Sequence, residues 1–493
     1  MKFCFALNPL KKLAGQTVIY GLGSVVPRFL NYLLVPYHTH LFEKAEYGII
    51  TELYTYMTFM VILLTYGMET GFFRFTQNSE DKPYAYGSAF VSLLTTSSLF
   101  VAAIYLLTGP ITQALGYTQH PEYIRWFAWI LALDAVCAVP FARLRQQNKP
   151  LQFAGIKIVN VLTNIFFTFF FFWFCPKYSH TAFIQSFWSP DVGVGYVFIA
   201  NLIASVVSLL LLMPYIIGVE IRFRWEVWKR MIVYALPLLL AGLAGNVNEA
   251  IDRTMLKHLL PLPEHEAMAE LGVYGANIKI AVLMTLFIQM FRYAAEPFFF
   301  NDARKANSRQ TIADTTKYFI LFALLIFLGI TLYIDIFKYF IEPRYWEGLH
   351  IVPVMAAANM MLGIYYTVSI WFKLNNKTHF ALIIASIGAV ISITGNLLLI
   401  PVIGYTGSAC IHLFCYSVMV FLTWRAGQKH YPVPYDWKTI GKFAALAALL
   451  FAAARLTTLP NLALNLLKNT VLIGIFCFVA YKKEYHNFIS YNA

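Results

Sequence analysis

Gly15-Gln-Thr-Val-Ile-Tyr-Gly-Leu-Gly-Ser-Val-Val-Pro-Arg28-Phe-Leu-Asn-Tyr-Leu-Leu-Val-Pro-Tyr-His38 is an apolar stretch long enough to cross a bilayer, with an arginine in its middle. A spanning helix needs about 20 predominantly apolar residues. A charge at the bilayer centre costs about 2.5–3.5 kcal/mol on insertion scales, so it normally faces protein or a water-filled cavity. Arg28 has company: Lys157, Arg253, Lys279 and Arg292 also fall inside apolar stretches. Several intramembrane cations of this kind suggest an anionic passenger.

The rest of the chain repeats the pattern. Of 493 residues, 59% are apolar and only 12% are charged, and the mean hydropathy is +0.62. A soluble domain has about 25% charged residues. A spanning barrel would alternate in strands of about 10 residues, and no such alternation is visible. The fold class is an all-α polytopic membrane protein. The net charge of +13 would raise nucleic acid as a partner for a soluble chain. Basic loops on one side of a membrane explain it here, and no nucleic-acid partner is expected. Cys4, Cys137, Cys175, Cys410, Cys415 and Cys477 lie mostly in or beside apolar spans. No CxxC occurs, so neither a disulfide nor a metal site is expected. No GxxxxGK[ST] motif is present, and no cofactor is expected.

Fourteen spans fit the sequence, at roughly 14–38, 47–72, 84–108, 122–142, 151–175, 192–217, 230–258, 271–298, 315–341, 351–373, 379–402, 405–426, 438–459 and 462–481. The first follows a basic start with Lys2, Lys11 and Lys12, is too long for a signal-peptide core, and reads as uncleaved. With that end in the cytoplasm, the cytoplasmic loops and termini hold about 24 basic residues against 6 on the other side. They include Arg74 and Lys82, Arg143 and Arg145, Arg222 to Arg230, and Lys482 and Lys483. The expected location is a bacterial cytoplasmic membrane, with both termini cytoplasmic. No loop is long enough for a catalytic domain, so no enzyme activity is expected.

The chain also repeats itself. Glu46-Tyr47-Gly48 and Val273-Tyr274-Gly275 each open the second span of a half, at an offset of 227. Asn148-Lys149-Pro150 and Asn376-Lys377-Thr378 each precede a fifth span, at an offset of 228. The shared offset argues for a six-span duplication. The expected organisation is an N-lobe at 1–220, a C-lobe at 221–430, and two further spans at 431–493. Two six-span halves of like orientation are transporter architecture with alternating access around a central cavity.

Gly15 to Ser24 followed by Pro27-Arg28, the exit Glu46-Tyr47-Gly48, Ala142-Arg143-Leu144-Arg145, Asn376-Lys377 and above all Asn396-Leu-Leu-Leu-Ile-Pro401-Val-Ile-Gly404-Tyr-Thr-Gly407-Ser-Ala resemble the Wzx-type O-antigen and polysaccharide flippases. These belong to the superfamily that also holds lipid II flippases and MATE multidrug exporters. The resemblance covers essentially the whole chain, but the last motif is common to the superfamily and names no substrate. It implies a MATE-like fold of two six-helix lobes. It also implies movement of undecaprenyl-diphosphate-linked oligosaccharide from the cytoplasmic to the periplasmic leaflet, with membrane lipids and a polysaccharide polymerase as partners. Within the junction, Pro401 ends a helix, and Gly404 and Gly407 permit a tight reversal or close packing.

The candidate residues divide by sign. Arg28 offers a planar fork of donors suited to phosphate oxygens, and the resemblance implies a cavity-facing arginine in the first span. A structural pair with Glu69 is the other reading. Arg253 occupies the corresponding span of the second half, on one face with Asn246 and Glu249, while Asn248 and Asp252 form a neighbouring pair. Glu249 and Arg253 either neutralise one another or leave Glu249 free to couple an ion. Lys279 is a second phosphate candidate. Arg292 recurs with Gln289 and Glu296 and reads either as an intrahelical pair or as snorkelling. Lys157 reads either as snorkelling or as cavity lining. The ion-coupling candidates are Glu249, Asp252, Glu69 and Asp134.

Two rival functions remain open. A MATE-type exporter would be expected to carry an acid in the first span, where this chain has Arg28 and no Asp or Glu. A membrane polymerase, ligase or glycosyltransferase would need a sizeable extramembrane catalytic region.

Overall fold

The computed structural model describes Gly23 and residues 25–302, 307–375, 377 and 379–492, without the side chains of 294, 296–298, 300–302 and 485–492. Among the described residues every regular element is helical. The principal helices are α1 (Leu34–Leu41), α2 (Lys44–Thr65), α3 (Met68–Phe75), α4 (Lys82–Leu106), α5 (Pro121–Gln146), α6 (Pro150–Phe169) and α7 (Gly195–Ile217). They continue with α8 (Trp225–Leu259), α9 (Glu264–Asp302), α10 (Ser308–Leu332), α11 (Val352–Val368), α12 (His379–His430), α13 (Trp437–Leu456) and α14 (Leu462–Asn492). Among the described residues twelve helical stretches are long and apolar enough to cross a membrane. They match the second to fourteenth expected spans, because α12 holds two of them. The first half of the first span, with Lys2, Lys11, Lys12 and Gly15 to Leu22, lies outside the described residues, as do Arg304, Lys305, Asn376 and Thr378.

α12 shows how local chemistry sets topology. At 52 residues it is too long for one crossing, and Ile403 (φ −131°) and Gly404 (φ 58°, ψ −144°) break it. The Gly404 conformation is close to glycine-only territory. Pro401, lacking an N–H, weakens the helix just before it. The two arms then fold back on one another. Gly407 packs on Leu399, Gly395 on Ile411 and Gly388 on Met419, while Ser392 donates to Cys415 at 3.4 Å. Each pair is nearly symmetric about residue 403, the signature of an antiparallel hairpin. Gly404→Ala should therefore destabilise the protein by about 1–3 kcal/mol. A thermal melt in detergent reads this, and an unchanged midpoint would refute it.

The chain divides into two compact units, Met1–Leu34 with Ile49–Asn246, and Val35–Gly48 with Val247–Ala493. In the first unit α5 is the interior helix, with 72% of its most apolar stretch buried, and α4, α6 and α7 pack around it. Lipid is as apolar as leucine, so such helices associate through close packing rather than through a hydrophobic drive. Small residues accordingly sit at the contacts: Ala85, Ala89, Ala132, Ala135, Ala142, Ala200 and Ala204 are all buried. The segment leading into α8 lies extended across the start of α4. Ser88 and Arg224 exchange hydrogen bonds there at 3.2 and 3.4 Å, over Gly87, whose absent side chain admits the Arg222 backbone.

In the second unit α9 and α11 are the interior helices, and α13 and α14 pack against α10. Residues 35–48 belong to this unit as well. Three ion pairs tie them to the 3₁₀ segment Pro343–Ile351 and its lead-in: His40–Glu342 at 3.1 Å, Arg344–Glu43 at 2.8 Å and Lys44–Glu347 at 2.8 Å. Exposed pairs are worth little individually. The stronger ties are the fully buried Tyr345, whose hydroxyl donates to the Phe42 carbonyl at 2.8 Å, and the crossing of Gly48 over Gly272. A methyl group on Gly272 would stand 1.9 Å from the Lys44 carbonyl oxygen.

Candidate functional site

The second unit brings basic side chains from three helices near one another, Arg253 and Lys279 as cations and His38 as a buried imidazole. α1 supplies His38, α8 supplies Arg253 and α9 supplies Lys279. Lys279 lies within electrostatic range of Arg253 and near the His38 imidazole. Lys279 is exposed, Arg253 half-buried and His38 buried, with its Nε2 lacking a hydrogen-bond partner. Among the described residues neither Arg253 nor Lys279 has an ion-pair partner. Glu249 lies exposed one turn before Arg253 and does not close the intrahelical pair open to it. Two like charges on successive apolar helices thus lie within electrostatic range of one another, and neither is ion-paired among the described residues, an arrangement suited to an anion.

The neighbouring face of α8 is packed into the unit. Asn248 donates to the Ala385 carbonyl at 3.0 Å, and the Tyr416 hydroxyl donates to the Asn248 carbonyl at 3.3 Å. Asp252 is fully buried. Its Oδ2 accepts from the Tyr274 hydroxyl on α9 and lies 3.8 Å from His412 Nδ1 on α12, while Oδ1 has no hydrogen-bond partner. A buried carboxyl beside a phenol and an imidazole can exchange a proton or receive a cation. Arg292 lies over the Tyr366 ring at 3.9 Å, which gives its charge a partner inside the unit. The Glu296 side chain proposed for it lies outside the described residues.

In the first unit Arg28 is exposed on a helical stretch at residues 25–32, following the buried Pro27. Among the described residues it has no hydrogen-bond or ion-pair partner, and Glu69 instead forms its ion pair with Arg145. Asn31, on the same stretch, accepts from Asn164 of α6 at 3.3 Å. Lys157 sits over the Phe141 ring at 4.2 Å and interacts with Asp134, which accepts from Ser205 at 2.9 Å. Glu69, Asp134 and Lys157 therefore all have partners within the unit.

Sequence reasoning passed over three residues. Glu52 is fully buried in α2 and accepts from the hydroxyls of Tyr56, at 2.8 Å, and Tyr117. The rule that singled out Arg28, an ionisable group inside an apolar run, applies equally to Glu52 and to His412. His38 lies at the end of the first span, where position alone carries no such signal. Among the described residues no group of three or more His, Cys, Asp or Glu is placed to hold a metal ion.

Residues 13–301 match the family model described as "Polysaccharide biosynthesis protein". The chain belongs to that family. No curated protein matches it significantly. Among solved structures, the family member is similar to the lipid II flippase MurJ in an inward closed conformation, with a TM-score of 0.74 and 14% identity over 94% of this chain and 99% of that one. An inward-facing multidrug resistance MATE transporter follows at TM-score 0.62 and 13% identity, over 84% and 94% of the two chains. The MATE multidrug transporter DinF-BH gives 0.60 and 17%, over 86% and 96%. At these identities the likeness is one of fold. It places this polysaccharide-biosynthesis family member, a multi-pass membrane protein, among flippase and transporter structures.

Proposed function

We propose that the chain is a flippase for polyprenyl-diphosphate-linked oligosaccharide, moving it from the cytoplasmic to the outer leaflet by alternating access without altering the glycan. The observation that carries this reading is Arg253 and Lys279, two cations of successive helices within electrostatic range of one another and with no ion-pair partner among the described residues. A diphosphate supplies the missing negative charge, and the guanidinium and ammonium are matched to its oxygens. Arg28, in the first unit, is a separate candidate for contact with phosphate. The excess of basic residues in alternate loops supports a cytoplasmic location for both termini.

Direction comes from an ion gradient or from consumption of the product, since the sequence has no nucleotide-binding loop. Asp252 is the coupling acid favoured by its surroundings, because it is buried with one oxygen unpartnered. A MATE-type exporter of cations is disfavoured by the same Arg253–Lys279 pair, which would repel such a substrate.

Binding of a short-chain polyprenyl diphosphate to purified protein tests the reading. The double variant Arg253→Gln, Lys279→Gln should lose at least about tenfold in affinity, since removing a charged partner from a desolvated contact costs about 2–5 kcal/mol. The same lipid as a monophosphate should bind more weakly to the wild type. Equal affinity of variant and wild type for the diphosphate would overturn the assignment.

A further inference from the structure

One crevice belongs wholly to the first unit. It has a volume of about 420 Å³ and is lined by Arg74, Phe75, Gln77, Asn78, Asp81 and Arg230. Its charges are unevenly used. Both oxygens of the buried Asp81 are taken, Oδ1 by Arg230 at 2.5 Å and Oδ2 by Asn78 at 3.1 Å. Arg230 is further placed over the Phe75 ring at 5.8 Å. Asp81 and Arg230 therefore cancel, and Arg74 supplies a net positive charge. Among the described residues the Arg74 guanidinium has no hydrogen-bond, ion-pair or ring partner, and the Gln77 side-chain amide donates to nothing. Two donor groups thus border one recess with their hydrogen bonds unmade.

The apolar surroundings have a direction. Phe75 meets Tyr234 edge-on at 6.4 Å. From there Val233, Tyr234, Leu236, Leu238 and Leu240 of α8 are all exposed. A polar recess with one uncompensated cation thus borders a helix that presents large apolar side chains outward. Charged head and apolar tail are the two parts of an anionic glycerophospholipid. The charge of the loops puts the recess at the cytoplasmic leaflet, where anionic lipids gather.

We propose that this crevice is a binding site for the phosphate headgroup of an anionic phospholipid, held by Arg74 and Gln77, with its acyl chains along α8. The site shares no residue with the proposed diphosphate contacts and requires only the orientation, not the flippase reading. Its occupant is a resident lipid rather than cargo.

Native mass spectrometry of the full-length protein in detergent tests it, with phosphatidylglycerol and phosphatidylcholine added at equal concentration. The wild type should retain one phosphatidylglycerol more firmly than any phosphatidylcholine. Arg74→Gln should lower that retention about fivefold, as expected for one basic residue at a lipid surface. Arg74→Lys should keep most of it. Because Arg74 is exposed, the Gln variant should fold, and phosphatidylcholine retention equal to that of the wild type checks this. Unchanged phosphatidylglycerol retention in Arg74→Gln would overturn the site. Displacement of the lipid by excess soluble glycerol phosphate would show a free anion as the occupant and would also overturn it.

Discussion

Arg28→Ala should abolish display of surface polysaccharide in cells that depend on this protein, at an unchanged level of protein in the membrane. Arg28 stands in a helical stretch within an apolar span, exposed and without an ionic or hydrogen-bond partner among the described residues. Glu69, the acid that would have explained it structurally, is engaged by Arg145. The fold therefore does not use the guanidinium at any described contact, which leaves it available to a phosphate. With a phosphate there, truncation removes a charge-assisted, bidentate contact of about 2–5 kcal/mol, or about 30-fold to several-thousand-fold in binding. Arg28→Lys keeps the charge and loses the planar fork, so display should be partial. Arg292→Gln is the contrasting variant. Its cation lies on the Tyr366 ring, so its loss should lower stability more than transport at matched protein levels. Full display by Arg28→Ala would remove Arg28 from the pathway.

The architecture could be read from the sequence because its determinants are local. Apolar length gave the spans, loop charge their alternation, and Pro401 with Gly404 the reversal inside α12, since a backbone at φ 58° and ψ −144° needs glycine. The pairing of charges could not be read, because it depends on contacts between distant segments. Glu69 and Arg145 are 76 residues apart. Asp252, Tyr274 and His412 meet only when α8, α9 and α12 are packed. The expected polar face of α8 likewise divides in two. Glu249 and Arg253 stay accessible, whereas Asn248 and Asp252 are buried against neighbours that periodicity alone does not identify. The assignment of residues 35–48 to the second unit was equally hidden, although the glycines that permit it were visible. Tyr47-Gly48 appeared as half of a repeat; in the structure Gly48 is also where α2 meets Gly272 of α9 at backbone distance.

Asp252→Asn should leave the fold intact and remove the dependence of transport on pH or on the coupling cation. Asn has nearly the shape of Asp, and its carbonyl, set at the Oδ2 position, can accept the Tyr274 hydrogen bond as that oxygen does. Little packing is lost, so the melting midpoint should shift slightly. What disappears is a carboxyl that can take up a proton or attract a cation where water is excluded. Tyr274→Phe makes the complementary change. It keeps the carboxyl but removes its hydroxyl donor, leaving a buried group less satisfied at a cost of about 1–3 kcal/mol, and it should lower the melting midpoint while preserving ion dependence. The two variants thus separate coupling from structure. Lipid-linked substrate movement in proteoliposomes, measured with and without a pH or cation gradient, decides the matter. If Asp252→Asn still responds to the gradient as the wild type does, Asp252 is a structural acid holding α8 to α9 and α12, and the coupling group lies elsewhere. The fully buried Glu52, with its two tyrosine hydroxyls, is then the next carboxyl to replace.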